Sequence, residues 1–203
     1  MTRLSREFYL GDTVEIAKAL LGCCLVRKLG NELLIARITE TEAYVGRMDK
    51  ACHAYGYRRT PRTEVMFGEA GHAYIYFTYG MHHCLNFVTE PEGEPSAVLI
   101  RGLQPLQGAD TMSRLRFGKP VSEQSSYQRK NFLNGPGKVC QALALTLEQN
   151  GMDLTGDILF GTNDPAEFGL RLPPVGFNIC CGKRVGIDYA EEAVDFPWRF
   201  WIE

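Results

Sequence analysis

The sequence of 203 residues lacks long apolar runs, and none approaches the roughly 18–20 residues that a membrane-spanning helix needs. Its first residues, MTRLSREFYLGDT, lack the apolar core of a secretory signal, so we expect a cytoplasmic protein with no membrane partner. The seven cysteines include no C-x-x-C pair, and their odd number favours reduced thiols over a disulfide framework. These absences argue against membrane proteins, secreted proteins and disulfide-stabilised scaffolds.

Motifs for common metal and nucleophile chemistry are also missing. The four histidines form no H-x-x-x-H or H-E-x-x-H pattern, and His82 and His83 are neighbours on a predicted strand, where adjacent side chains point to opposite faces. No G-x-S-x-G elbow occurs. The GPGK segment lacks a full P-loop pattern, although a helix starting there and Lys138 could bind one phosphate. We therefore expect neither a metal nor a cofactor, while a Ser/His/Asp or Cys/His triad stays open.

Little net charge is present, since 22 Lys and Arg against 24 Asp and Glu leave −2 at pH 7. Taken alone, this balance argues weakly against a nucleic-acid partner, because nucleic-acid-binding domains are often basic. The basic residues are nevertheless clustered and could form one basic face, although an even scatter over the surface is the alternative. The clusters are residues 57–62 (YRRTPR), 114–119 (RLRFGK), 128–130 (QRK) and 183–184 (KR).

Alternating and β-branched residues predict two hairpins. The first joins CCLVRKL through GNE to the long arm LLIARITETEAYV, and the second joins HAYIYFT to MHHCLNFVT, with Tyr79 and Gly80 at its tip. The apolar SAVLIRGLQPL is expected to be a central strand. Four short strands are also expected, in DILFG, FNICC, KRVGI and WRFWI.

Three helices are predicted as well. TVEIAKALLG begins at Asp12, which forms a capping-box-like pair with Glu15, and ends at Gly22. GADTMSRLRF is the second helix, and NGPGKVCQALALTLEQNG, ending at Gly151, is the third. The polar segment at residues 118–130 is expected to be mobile. The predicted fold class is mixed α/β (α+β), a single compact domain over residues 1–203 with a curved, largely antiparallel sheet and flanking helices.

Two carboxylates occupy one face of the strand in ITETEAY. Because strand side chains alternate, Ile38, Glu40, Glu42 and Tyr44 share that face. Buried carboxylates are costly unless they are paired, and Arg101, in the apolar strand AVLIRGL, needs a carboxylate partner of this kind. A structural ion pair and a catalytic pair both explain the pattern.

Aromatic residues crowd the second hairpin. Tyr74, Tyr76 and Phe77 lie in its first strand, and Tyr79 lies at its tip, where a side chain is not part of a core. Exposed aromatics beside basic loops suit stacking on bases or insertion between base pairs. Ordinary strand core, with Tyr79 packing back, is the alternative.

An ordered set of motifs resembles a known family. ITETEAYVG, His53, TPR, MF, YIYFTYGMHHCLN, AVLIRGLQPL, NGPGKVCQAL and RVGI are similar to segments of the alkyladenine (3-methylpurine) DNA glycosylases, the AAG/MPG family, from about Tyr9 to Trp201. The resemblance implies one mixed α/β domain with a protruding hairpin. It also implies a monomeric, monofunctional enzyme that uses water to release alkylated or deaminated purines from damaged duplex DNA. Expected substrates are 3-methyladenine and 7-methylguanine, with hypoxanthine or ethenoadenine as further candidates.

The resemblance also implies roles for individual residues. Glu42 corresponds to the general base that activates water, Arg101 to the arginine that helps to hold this water, and the Val185 backbone to its third ligand. Tyr79 corresponds to the side chain that fills the gap left in the duplex. The base pocket is expected to contain Tyr44, His53, Tyr76 and Asn86, the last helping to exclude guanine. Candidate phosphate contacts are Arg58, Arg59, Arg62, Lys138 and Lys183.

Two other functions stay open at this point, and three features depart from the family. One alternative is a DNA-damage binding protein without catalysis, and the other is a hydrolase of small N-ribosides that uses Glu40 and Glu42 as paired carboxylates. The departures are the slightly acidic composition, the polar segment 118–130, and the pair His82 and His83 where aromatic residues are expected.

Overall fold

The computed structural model describes residues 3–170 and 176–203, which form a curled antiparallel sheet with helices on one face. In these ranges the strands are β1 Cys24–Leu29, β2 Glu32–Val45, β3 Ala73–Thr78, β4 His82–Thr89, β5 Ser96–Gln107, β6 Leu159–Thr162, β7 Ile179–Gly182 and β8 Arg199–Ile202. The α-helices are α1 Arg6–Tyr9, α2 Thr13–Ala19, α3 Ala109–Phe117, α4 Ser126–Lys130 and α5 Pro136–Ala142. Short 3₁₀ helices cover Tyr55–Tyr57, Glu64–Phe67, Val121–Glu123, Leu147–Gln149, Pro165–Phe168 and Glu191–Asp195. The predicted mixed α/β class is confirmed.

The long strand β2 organises the sheet. The strand order is β3-β4-β5-β2-β1-β6, and β8 pairs with both β2 and β7. Along one edge β2 pairs with β5, and along the other it pairs first with β1 and then with β8. The register against β5 shifts on both sides of Glu40, and such a bulge bends the sheet. Both predicted hairpins and the central position of β5 are confirmed.

The two faces of the sheet differ because strand side chains alternate. One face buries Ile38, Ile75 and Ile100 in a core that α2, α3 and α5 cover. The prediction that Ile38 shares a face with Glu40, Glu42 and Tyr44 is therefore wrong for Ile38, because the register shifts around Glu40 interrupt the alternation. Burying a side chain of this size contributes about 1.5–3 kcal/mol to folding. The other face carries Tyr44 and Tyr76, which pack beside two smaller clusters from residues 51–67, 74–97 and 187–196. This second face holds the candidate site.

The third predicted helix is wrong in length. Helix α5 ends at Ala142, and Ala144 takes a left-handed conformation with φ of 49°. Thr146 then starts a separate 3₁₀ turn, in which its N–H donates to the side chain of Gln149 at 2.9 Å. The apolar spacing of the sequence continues across this break, but the local cap competes with the helix and ends it.

Two other local predictions need correction. KRVGI forms no strand, because the Arg184 guanidinium and the Val185 N–H bind side chains and carbonyls from elsewhere in the fold. Asp12 caps α2 as expected, but Glu15 pairs with Lys18 instead of completing a capping box. The segment 118–130 contains a 3₁₀ turn and α4, whose capping box is formed by Ser125 with Gln128; its mobility stays a prediction.

Within residues 3–170 and 176–203, no helix combines the length and apolar character needed to cross a membrane.

Candidate active site

A cavity of about 480 Å³ opens on the sheet face opposite α2, α3 and α5. Its volume falls in the range of small-molecule sites and is sufficient for a purine base. Side chains from β2, β3, β4 and β5 reach it because residues two apart on a strand share a face. The predicted site residues that line it are Tyr44, His53, Tyr76, Tyr79, Asn86, Arg101, Val185 and Arg62. Glu42 lies directly behind this lining, in contact with Tyr44 and Val185.

The Glu42 carboxylate is fully buried, and both of its oxygens accept hydrogen bonds. Oε1 accepts the backbone N–H of Val185 at 2.8 Å, and Oε2 accepts the hydroxyl of Tyr44 at 2.8 Å. A buried carboxylate needs such donors, because an unpaired charge away from water is costly. Each oxygen has two lone-pair sites, so these bonds leave acceptor capacity for a water molecule.

Arg101 lies between Glu40 and Glu42 of β2. Its Nε donates to Oε1 of Glu40 at 3.0 Å and lies 3.5 Å from Oε1 of Glu42. The predicted pairing of Arg101 with these carboxylates is confirmed. Glu40 Oε1 also accepts the Nε of Arg199 at 2.6 Å. Four charged side chains therefore form one connected group, of which Arg101 lines the cavity.

Burial raises the pKa of the Glu42 carboxyl, because the charged form loses its hydration. Arg101, the Val185 N–H and the Tyr44 hydroxyl stabilise the carboxylate and oppose this rise, whereas the negative charge of Glu40 adds to it. The net effect is a carboxylate more basic than an exposed one. Raised basicity suits a group that accepts a proton during a reaction near neutral pH.

One face of the Tyr44 ring is covered by a buried cation. The guanidinium carbon of Arg184 lies 4.7 Å from the Tyr44 ring centroid. Arg184 donates to both carboxylate oxygens of Asp49 and to the carbonyl of Ala43, so its position is fixed. Tyr44 therefore presents only its other face to a ligand in the cavity.

The His53 ring is held between a tyrosine and an arginine. Its Nδ1 lies 2.9 Å from the Tyr74 hydroxyl, and its Nε2 lies 3.3 Å from a guanidinium nitrogen of Arg62. A guanidinium can only donate, so Nε2 is the acceptor and Nδ1 carries the proton. Burial, with a smaller effect from Arg62, lowers the pKa of His53 to about 4. The imidazole is therefore neutral at physiological pH.

Tyr76 also lines the cavity and contacts three neighbours. The His53 ring meets it edge-on at 4.6 Å between centroids, and the Tyr74 ring lies tilted at 5.5 Å. The guanidinium carbon of Arg62 lies 4.9 Å from the Tyr76 centroid, a cation–π distance. Tyr44 and Tyr76 thus each carry an arginine over a ring face.

Asn86 contributes a fixed polar group to the cavity wall. It is 3% exposed, and its amide nitrogen donates to the carbonyl of Tyr74 at 3.0 Å. A buried amide held in this way cannot rotate freely, because its hydrogen bond would be lost. Asn86 therefore gives the cavity a rigid shape on this side.

Tyr79 lies at the tip of the β3–β4 hairpin and also lines the mouth of the cavity. Its side chain is 82% exposed, and its φ of 51° places it in the left-handed region together with Gly80. The N–H of Met81 donates to the carbonyl of Thr78 and closes the turn. A bulky residue in this conformation is unusual and costs about 1–2 kcal/mol. An exposed aromatic at a strained position indicates a functional role.

The five candidate phosphate contacts have different surroundings. Arg59 pairs with Glu64, and Lys183 pairs with Asp195, so these two charges are neutralised. Lys138 donates to the side chains of two asparagines, Asn131 and Asn134. Arg58 and Arg62 line a smaller basic cavity of about 370 Å³ next to the first one.

Several contributors to the site were not identified from the sequence. The sequence places Arg184 only in a basic cluster and carries no signal that assigns Asp49 or Tyr74 to the site. The pair His82 and His83 also separates in the structure. His82 packs on the backbone of Gly137, where an added Cβ would come within 3.0 Å of its ring, and His83 packs on Phe77.

No group of three or more His, Cys, Asp or Glu side chains suited to a metal occurs in the part of the chain that the structure describes.

Comparison with known proteins gives a consistent result over the full length. The family model described as methylpurine-DNA glycosylase (MPG) matches residues 7–203. A protein of Clostridium acetobutylicum named "Putative 3-methyladenine DNA glycosylase" is 49% identical over 201 residues, covering 99% of this chain and 94% of its own. A protein of Desulfitobacterium hafniense with the same name is 47% identical, and the match covers 100% of this chain and 96% of that protein. A third, from Bacillus cereus, is 48% identical, and the match covers 97% of this chain and 94% of that protein.

Proposed function

The chain belongs to the methylpurine-DNA glycosylase family, and we propose that it hydrolyses the N-glycosidic bond of alkylated purines in duplex DNA, with water as the nucleophile and Glu42 as the general base. The observation that carries this proposal is the buried Glu42 carboxylate, held by the Val185 N–H and the Tyr44 hydroxyl beside Arg101. A binding protein without catalysis would have no use for a desolvated, basic carboxylate at the edge of its ligand cavity.

The proposed reaction is a displacement at C1′ of the damaged nucleotide. The bond between C1′ and the base breaks, and its electron pair leaves with the base. Water adds its oxygen to C1′ and gives a proton to Glu42, while the negative charge of the carboxylate stabilises the oxocarbenium-like sugar. Arg101 holds the water. The Val185 N–H is already bonded to Glu42, so its backbone carbonyl is the group left to contact this water.

The cavity suits a base that carries a positive charge. Alkylation at N3 or N7 makes the purine cationic, so it needs little help from an acid to leave. Tyrosine faces attract cations through their π-electrons, and Tyr44 and Tyr76 both border the cavity. His53 is neutral at physiological pH and does not repel such a base. Asn86 is the proposed rigid contact that disfavours guanine. We propose 3-methyladenine and 7-methylguanine as substrates, with hypoxanthine and ethenoadenine as further candidates.

A base must leave the duplex before it can enter the cavity. Flipping a nucleotide costs a few kcal/mol, less where pairing is already weak. An aromatic side chain inserted into the gap offsets part of this cost. Tyr79 is the proposed wedge, because it projects from the hairpin tip at the mouth of the cavity. Arg58, Arg62 and Lys138 are the proposed main phosphate contacts, whereas Arg59 and Lys183 are already paired with carboxylates and are proposed as weaker ones.

Incubation with methylated duplex DNA tests this function directly. We expect release of free 3-methyladenine and 7-methylguanine, identified by mass spectrometry, and abasic sites that remain uncleaved until alkali is added. Strand cleavage without alkali would contradict the water mechanism, because it requires an amine nucleophile. Equal release from free methylated deoxynucleosides would favour the small N-riboside hydrolase instead.

A further inference from the structure

The side chain of Glu40 has a dedicated space between two strands. Gly102 lies opposite Glu40 on β5, and a Cβ on Gly102 would come within 2.9 Å of the Glu40 Cβ. The strand register shifts on both sides of Glu40, and the resulting bulge turns the Glu40 side chain toward Arg101. Glycine is therefore needed at position 102 so that Glu40 can reach Arg101.

Glu40 contacts Arg101 in a manner that leaves most of the guanidinium free. The hydrogen bond runs from Nε of Arg101 to Oε1 of Glu40 at 3.0 Å, and the same Nε lies 3.5 Å from Glu42. A guanidinium has five N–H donors, of which Nε supplies one. The terminal nitrogens of Arg101 therefore stay available at the cavity that Arg101 lines.

Arg199 fixes Glu40 from the other side. Its Nε donates to the same oxygen of Glu40 at 2.6 Å, and its guanidinium stacks over the Trp201 ring at 4.9 Å. On β8, Arg199 is paired in register with Glu42. The order of contacts is Arg199, Glu40, Arg101 and then Glu42, with opposite charges alternating along the group.

We propose that Glu40 is a positioning residue, which holds Arg101 by Nε and shares its charge, so that Arg101 does not fully neutralise Glu42. The inference rests on the proposed role of Glu42 as general base. Without Glu40, Arg101 would be free to form a bidentate pair with Glu42, a geometry that arginine and carboxylate favour. Such a pair would make Glu42 a weaker base and occupy the lone pairs that a water molecule needs. Arg199 sets the strength of this effect, because it competes with Arg101 for the same oxygen of Glu40.

The rate of base release as a function of pH distinguishes this role from a merely structural one. In a duplex containing 7-methylguanine, the damaged base is already cationic. The acidic limb of the pH–rate profile, the pH range in which the single-turnover rate rises with pH, therefore reports deprotonation of the general base. Glu40→Gln removes a negative charge and frees Arg101, and both changes favour the Glu42 carboxylate. We expect the limb to move to lower pH by about half a unit or more, and the plateau rate to fall about 3- to 10-fold.

Arg199→Gln gives the opposite shift and keeps the test valid even if Glu40→Gln folds poorly. It removes a positive charge from Glu40 and lets Glu40 bind Arg101 more strongly, so less of the Arg101 charge is left for Glu42 and the limb should move to higher pH. Glu40→Asp keeps the charge and should restore most of the wild-type profile. Glu32→Gln, an exposed glutamate on the same strand bonded to Thr111, should leave the profile unchanged.

Shifts of opposite sign for Glu40→Gln and Arg199→Gln would support the proposal. An unmoved limb in both folded variants, or shifts of the same sign, would overturn it. Glu42→Gln is measured in parallel. If Glu42→Gln loses base release while Glu40→Gln leaves the acidic limb in place, only the proposed role of Glu40 is excluded. If Glu42→Gln releases the base at the wild-type rate, the proposed function of Glu42 as general base is excluded.

Discussion

The backbone N–H of Val185 donates a 2.8 Å hydrogen bond to Oε1 of Glu42, which precedes it by 143 residues. The neighbouring Arg184 anchors this contact, because its buried guanidinium binds Asp49 and the carbonyl of Ala43. A loop near the end of the chain thus closes over a carboxylate on β2 and holds its orientation. The site is preorganised by this long-range contact, and the same arrangement makes several consequences testable.

Tyr44→Phe should raise the pKa of Glu42, because the hydroxyl that now donates to its carboxylate is removed. The acidic limb of the rate of 7-methylguanine release should therefore move to higher pH, while the ring keeps its stacking surface. Tyr74→Phe is the matched control, since its hydroxyl binds His53 and not Glu42. A limb that stays in place or moves to lower pH in Tyr44→Phe would contradict the predicted contact.

Tyr79→Ser should weaken flipping without removing chemistry. Loss of the wedge is expected to slow release of a lesion paired in the duplex about 10-fold, corresponding to about 1.4 kcal/mol, and to affect a mismatched lesion less. The free energy of unfolding should change little, because the side chain is mostly exposed. Phe77→Ser, on the same hairpin, serves as the control. Equal rates for Tyr79→Ser and wild type on the paired lesion would exclude the wedge role.

The His53 imidazole should titrate with a pKa of about 4 in an NMR pH titration, lowered by burial and by Arg62. The unfolded chain takes up this proton near pH 6.5, before the folded one does. His53 therefore makes stability fall as the pH drops from about 6.5 through about 4. Arg62→Gln should raise the pKa of His53. A pKa near 6.5 in the wild-type protein would show that the ring is solvated and not held as described.

Arg58→Ala should weaken binding to undamaged and damaged DNA alike and reduce the salt dependence of binding. Each phosphate contact contributes about −0.9 to the slope of the logarithm of the binding constant against the logarithm of the salt concentration. The slope is therefore expected to become less negative by about 0.9 in Arg58→Ala. Arg59→Ala is the matched control, because Arg59 is paired with Glu64 in the free protein and its contribution should be smaller. An unchanged slope in Arg58→Ala would remove Arg58 from the interface.

Much of the site could be predicted from the sequence because strand alternation is a local rule. The pattern in ITETEAY places Glu40, Glu42 and Tyr44 together, and the structure brings both glutamates to Arg101. The pattern could not decide between the two carboxylates. That difference depends on a bulge at Glu40, on Gly102 and on the approach of Val185, all of which are long-range features.

The failures in secondary structure have two physical origins, a local cap and a long-range ion pair. The apolar spacing after Pro136 predicts one long helix, but a local cap at Thr146 ends it early. KRVGI has strand-like residues, yet the buried pair of Arg184 with Asp49 determines its path. Local propensity is a weak signal wherever a cap or a buried ion pair competes with it.

The central claim is that Glu42 activates the water that displaces the base. The most direct test is the single-turnover rate of 7-methylguanine release from duplex DNA by Glu42→Gln, with lesion binding measured on the same sample and Glu32→Gln as the control. We predict binding within a few-fold of wild type and a rate lower by about 100-fold or more, the usual contribution of a general base. Release at the wild-type rate by a folded Glu42→Gln variant would contradict the account.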